Sequence, residues 1–110
     1  MSTAETPEVS SSKVALRVAW LENKLGLAID YVLSKGNSPI TVYYFWPLED
    51  AWDKLKGEME SRRSWISEYD CNILLNQATD VINYWQEEGR GRPVDEAIRK
   101  FPDVLFPASS

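Results

Sequence analysis

Two runs of alternating side chains stand only three residues apart near the start of the chain, and they constrain the fold more than any other feature. From Lys13 to Leu21, Val14, Leu16, Val18 and Trp20 alternate with Ala15, Arg17 and Ala19. From Leu25 to Leu33, Leu25, Leu27, Ile29, Tyr31 and Leu33 alternate with Gly26, Ala28 and Asp30. A period of two sends successive side chains to opposite faces of a strand. The short polar break Glu22-Asn23-Lys24 folds the second run back beside the first, so an antiparallel hairpin is expected. Lys35-Gly36-Asn37-Ser38-Pro39 reads as a turn cluster, and Ile40–Trp46, with its Ile-Thr-Val-Tyr-Tyr-Phe-Trp composition, as a third strand.

Beyond Trp46 the period changes. Pro47 suits the first position of a helix, and Glu49, Asp50 and Asp53 fall in its first turns, where the macrodipole favours acids. Leu48, Trp52, Leu55 and Met59 form its apolar stripe, and Arg62-Arg63 close it. Ser67, three residues before Asp70, caps a second helix that buries Cys71, Leu74, Leu75, Ala78, Val81, Ile82 and Trp85 and stops at Gly89. Pro93 opens a third, with Val94, Ala97, Ile98 and Phe101 on one side and Pro102 beyond. Strands followed by helices predict an α+β domain: a small antiparallel sheet of about three strands, including the N-terminal hairpin, packed against two or three α-helices. A chain of 110 residues builds one such core. The expected organisation is a disordered N-terminal tail over 1–12, a single domain over 13–101 and a C-terminal tail over 102–110, which either docks through Leu105 and Phe106 or stays mobile.

Several chemistries are excluded. The chain has no histidine, which removes Ser-His-Asp and Cys-His nucleophiles and HExxH zinc sites. Its one cysteine, Cys71, allows neither an internal disulfide nor a CxxC pair. The five glycines form neither GxxxxGK[ST] nor GxGxxG. Acid pairs such as Glu49-Asp50 and Glu87-Glu88 sit near predicted helix ends, where solvated charge is the ordinary reading. The expectation is therefore no enzyme, with no catalytic residue, no metal, no cofactor and no small-molecule substrate. No apolar run is long enough to span a membrane, and the opening residues lack the basic and apolar regions of a signal or transit peptide. The protein is expected to work where it is made, and no membrane partner is expected.

Charge is unevenly placed. The net charge is −5, and Ser67–Glu88 alone holds Glu68, Asp70, Asp80, Glu87 and Glu88 with no Lys or Arg. Lys13–Lys35 and Gly89–Phe101 lean basic, so two faces of opposite sign are expected. An acidic chain does not coat nucleic acid, but it can make a small basic contact. In Gly89-Arg90-Gly91-Arg92-Pro93, forked guanidinium groups on flexible backbone suit phosphate oxygens. Arg62, Arg63, Lys13 and Arg17 are further candidates. The first two also suit a helix C-terminus, and the last two a strand edge or solvent face. Trp65 is either a partner anchor or packing between two helices. The run Tyr43-Tyr44-Phe45-Trp46 invites an RNA-stacking reading. Packing is preferred, because alternation sends Tyr44 and Trp46 to one face and Tyr43 and Phe45 to the other, with no glycine and basic residues in an RNP-type arrangement beside them.

Ser38-Pro39, Tyr43-Tyr44-Phe45-Trp46-Pro47, Asp50-Ala51-Trp52, Trp65-Ile66-Ser67 and the block from Leu74 to Gln86, Leu-Leu-Asn-Gln-Ala-Thr-Asp-Val-Ile-Asn-Tyr-Trp-Gln, resemble one family. It is the plastid-specific ribosomal protein three family of the small (30S) subunit in chloroplasts and cyanobacteria. The resemblance runs over roughly 13–85. It implies a structural role in translation, through assembly, stability or regulation of the subunit, with no catalysis and no cofactor. It also implies a location in cyanobacterial cytoplasm or plastid stroma. The partners would be 16S rRNA and neighbouring ribosomal proteins. On that reading Arg90, Arg92, Arg62, Arg63, Lys13 and Arg17 turn to rRNA phosphates, and Glu68, Asp80, Glu87, Glu88 and Trp65 to a protein neighbour. The alternative is a non-ribosomal adaptor using the same acidic helix and aromatic surface.

Overall fold

The computed structural model describes residues 13–62, 66–89 and 92–106. The expected tail over 1–12 and the end of the chain over 107–110 lie outside them. β1 (Lys13–Trp20) and β2 (Leu25–Leu33) form the expected hairpin, from Lys13 opposite Val32 to Trp20 opposite Leu25. Leu16, Val18, Leu25, Leu27 and Ile29 turn one way into the core and are fully buried.

The third strand differs from expectation: it comes in two pieces on the far edge of β2. The supposed turn cluster is itself mostly strand, β3 (Gly36–Pro39), joined to β2 by the two-residue loop Ser34-Lys35. Gly36 there has φ +139°, a conformation that a side chain would strain. β4 (Tyr44–Trp46) pairs farther along the same edge. Between them three steps along β2, from Asp30 to Leu27, are matched by five along the partner, from Pro39 to Tyr44. Pro39 cannot donate to the ladder. Ile29 O instead accepts from both Ile40 N–H (2.9 Å) and Thr41 N–H (3.2 Å), and Thr41 Oγ1 accepts from Ile29 N–H at 3.1 Å. An even slip preserves the faces, so Tyr44 and Trp46 still turn toward the helices and Tyr43 and Phe45 away.

α1 (Ala51–Glu60) starts four residues later than Pro47 suggests, because Asp50 takes the capping position and its side chain accepts from Asp53 N–H. Leu48, expected in the buried stripe, is left in the preceding turn and is 85% exposed. α2 (Glu68–Tyr84) has the expected Ser67 cap, with Asp70 N–H donating to Ser67 Oγ at 3.0 Å. It runs on through a π-helical turn, Trp85–Gly89, to the predicted stop. α3 (Val94–Lys100) buries Ala97 but leaves Ile98 exposed, contrary to the expected stripe.

The helices cover the inner face of the sheet with Leu55 and Met59 from α1 and Leu74, Ala78, Val81 and Trp85 from α2's side. Trp85 is fully buried, and its Nε1 donates to Leu21 O at 3.0 Å, fastening the end of α2 to the hairpin loop. The chain then returns to the free edge of β1. Val18 N–H donates to Leu105 O (2.7 Å) and Leu105 N–H to Leu16 O (2.8 Å), while the Phe106 ring stands edge-on to Trp20. Trp85→Ala removes the largest fully buried side chain and should lower unfolding free energy by about 3–5 kcal/mol in urea titration, with Trp85→Phe costing less.

Candidate functional site

Several of the cations singled out in sequence are engaged within the fold. Arg17 projects from β1 to the outer face of the sheet, where its Nε donates to Asp30 Oδ1 at 2.8 Å and its Nη2 to Thr41 O at 3.1 Å. Its side chain is only 17% exposed and Asp30's 5%, so it is not a solvent-face charge; it neutralises a buried carboxylate and ties the bulge to the hairpin. Arg62 pairs with Glu58 one turn back, and Arg92 with Glu96 at 3.0 Å one turn ahead. Lys13 is described as the first residue of β1, and Arg63, Trp65 and Arg90 lie outside the described residues. Among the described residues Lys24, Lys35, Lys54, Arg99 and Lys100 have no carboxylate partner.

The acids also separate. Glu68 opens α2, and Asp80 lies 12 residues on, about 18 Å along the axis at 1.5 Å per residue. Exposed Glu87 and Glu88 occupy the π turn, against the negative end of the helix, with no basic residue in the last turn of α2. Near this end stands Tyr84, whose hydroxyl is 3.4 Å from Glu96 Oε1 and whose ring lies 5.5 Å from Lys100 Nζ. Burial first, then Glu96 and Glu88, raises the Tyr84 phenol above its ordinary pKa. α3 meets this end of α2 through Tyr84, which lies between Glu96 and Lys100.

A second surface involves the aromatic run for which packing was the preferred reading over stacking. On the outer face of the sheet the half-buried rings of Tyr43 and Phe45 lie 6.3 Å apart over Gly26. A Cβ at Gly26 would sit 3.0 Å from Phe45 Cε1 and 3.1 Å from Tyr43 Cδ1. The Arg17 guanidinium lies 4.5 Å from the Tyr43 centroid, and Lys24 Nζ 4.6 Å from that of Phe45. The glycine and the cations missing beside the aromatic run in sequence are thus supplied by β1, β2 and their loop. Only the β2–β4 register could have shown this.

On the inner face Tyr44 donates its hydroxyl to Glu58 Oε2 at 2.6 Å, and Arg62 binds the other oxygen. The Tyr44 bond, aided by Arg62 and opposed by desolvation, holds the Glu58 carboxyl below the ordinary 4.5. The same bond, with burial, raises Tyr44 above 10.0. Between α1 and α2 a groove of about 250 Å³ is floored by Trp46, Trp52 and Ile82. Trp46 Nε1 is buried without an acceptor among the described residues.

The fold is a small α+β domain that presents charged and aromatic surfaces. The model of the plastid and cyanobacterial ribosomal protein family PSRP-3/Ycf65 matches residues 40–88, a span that includes β4, α1 and α2. A probable small ribosomal subunit protein cS23 of Synechococcus sp. (strain JA-3-3Ab) is 57% identical over 94 residues, 86% of this chain and 94% of the relative. Small ribosomal subunit protein cS23 of Mesostigma viride is 48% identical over 94 residues, 86% of this chain and 76% of the relative. The corresponding protein of Hordeum vulgare is 43% identical over 86 residues and matches 47% of its own length. The chain belongs to the PSRP-3/Ycf65 family.

Two outcomes test these geometries. Arg17→Ala should cost about 3–5 kcal/mol by denaturant unfolding, since it leaves the Asp30 carboxylate buried and unpaired. Arg17→Lys should restore only part, because one ammonium cannot reproduce the forked contacts to Asp30 and Thr41. The Tyr44–Glu58 bond should show as pH dependence. With Glu58 lowered, its stabilisation is present above the unfolded carboxylate's pKa and is lost as pH falls through the folded value. With Tyr44 raised, its part is present below the unfolded phenol's pKa and is lost as pH rises through the folded value. Tyr44→Phe should flatten both limbs of a stability–pH curve.

Proposed function

We propose that this chain is a structural constituent of the small ribosomal subunit, held at its surface by contacts to rRNA and to neighbouring proteins. The observation that carries this reading is the identity of 57% across 94% of a relative named as a small ribosomal subunit protein. As a member of the family the chain serves translation of the cyanobacterial and plastid type, in cyanobacterial cytoplasm or plastid stroma. Its role is support of subunit assembly, stability or regulation, without catalysis and without a cofactor.

The contacts divide by chemistry. Arg90, Arg92, Arg63 and Lys13 are assigned to rRNA phosphates, where guanidinium forks and ammonium groups make charge-assisted bonds. Arg17 and Arg62 serve through the fold, the first pinning the outer face and the second completing the Glu58 network. Asp80, Glu87 and Glu88 are assigned to a basic protein neighbour, with Glu68 and Trp65 marking a separate contact at the other end of α2. Acids packed against a helix C-terminus are locally unfavourable, and a cationic partner relieves them.

In a sucrose gradient the protein should migrate with 30S and 70S particles and survive moderate salt. Arg90→Ala with Arg92→Ala should weaken retention and reduce the dependence of log affinity on log salt by roughly one to two. Retention unchanged at every salt would remove those two residues from the interface. A protein that stays at the top of the gradient would remove the ribosomal role itself.

A further inference from the structure

Among the described residues no helix packs on the outer face of the sheet, and its residues are mostly small or aromatic. Its floor is Ala15, Ala19, Gly26 and Ala28, residues with no side chain beyond a methyl group, all buried. On that floor rest the rings of Tyr43 and Phe45, close enough to Gly26 that even a methyl group there would press on both. Both rings remain partly open to solvent. Arg17 is locked at one ring by Asp30 and Thr41, while Lys24 stands exposed at the other without a carboxylate partner.

We propose that this face is a stacking platform for unpaired RNA, with bases laid on Tyr43 and Phe45 and the Lys24 ammonium holding an adjoining phosphate. The proposal rests on the reading of the chain as a small-subunit protein and names one surface by which it holds rRNA. Three features favour RNA over a protein partner. Every base offers a π-face, so a pair of rings on a sheet accepts single-stranded nucleotides with little demand on sequence. Of the nearby carboxylates, Asp30 is neutralised by Arg17, while Glu49 keeps its charge and accepts the Phe45 N–H at 3.1 Å. The acids of α2 lie on the opposite side of the sheet, since α2 packs against its inner face.

The fixed Arg17 has a defined part in this site. Its guanidinium lies over one face of the Tyr43 ring, 4.5 Å from the centroid, and leaves the other face to a base; its bonds to Asp30 and Thr41 O hold it there. Lys24 is exposed in the β1–β2 loop, its ammonium 4.6 Å from the Phe45 centroid, where the backbone of a passing strand comes within reach.

The test uses the full chain in assembled subunits, with p-azidophenylalanine in place of Phe45 and, as a control, in place of exposed Tyr69 on α2. After irradiation of gradient-purified 30S particles, position 45 should attach to rRNA and position 69 should not. A second measurement compares competition for 30S subunits lacking the protein. Tyr43→Leu with Phe45→Leu keeps an apolar cover but removes the π-faces, and should bind at least about tenfold more weakly. Lys24→Glu should weaken binding at low salt and lessen the salt dependence. Thermal unfolding reports whether the double variant is folded; if it is not, the cross-link and Lys24→Glu decide. Attachment of position 45 to a protein, or to nothing while the chain sediments with 30S, overturns the platform. A chain that never sediments with 30S overturns the ribosomal reading, and the platform with it.

Discussion

β2 is buried on both faces, and a chain of this length has only enough residues for helices on one of them. Leu25–Asp30 are all buried, whichever way each side chain points. The inner set meets α1 and α2. The outer set is covered by the Tyr43 and Phe45 rings over Gly26 and by the Arg17 side chain at Asp30. The segment between β3 and β4 is fastened to Ile29 by the Ile40 and Thr41 bonds and, across the outer face, by Arg17, which reaches from β1 to the buried Asp30 carboxylate and to Thr41 O. A buried ion pair is weak as a source of stability but costly to break, so its value is in fixing one arrangement among several. Without it the outer rings would have no set position, and the small floor beneath them would be open.

What could be read from the residues follows from how local each signal is. The hairpin, the Ser67 cap and the Gly89 stop depend on neighbours a few positions away, and each is where the pattern puts it. The start of α1 was misplaced because Pro47 and Asp50 both suit a helix N-terminus, and only the hydrogen bond from Asp53 chooses between them. The third strand was read as continuous because composition carries no mark of a bulge. Its split depends on which β2 carbonyl accepts from Ile40 and Thr41.

The candidate site was legible to a similar depth. Arg62 with Glu58 and Arg92 with Glu96 stand four apart, a spacing that pairs charges on neighbouring helix turns; Arg62 is thereby drawn into the fold, while Arg92 stays more than half exposed. Arg17 with Asp30 was hidden, although the hairpin register puts Arg17 opposite Ala28, one diagonal step from Asp30. The convergence of Lys24, Gly26, Tyr43 and Phe45 was beyond sequence reasoning, because it requires the register of β4 on β2 after the slip.

An acidic chain on an RNA particle meets long-range repulsion before it meets any contact. With a net charge of −5 and most paired cations facing carboxylates, there is no broad basic field to steer it in. On the proposed reading, attachment would come from short-range terms: stacking, a few charge-assisted bonds and a basic protein neighbour drawn to the acids at the end of α2. Such contacts are individually modest. Once one is made, the others form at the high effective concentration set by a rigid domain, and together they hold where none would alone. Rigidity is therefore part of the binding function, and it comes from the sheet being closed on both faces, by helices inside and by two aromatic rings outside.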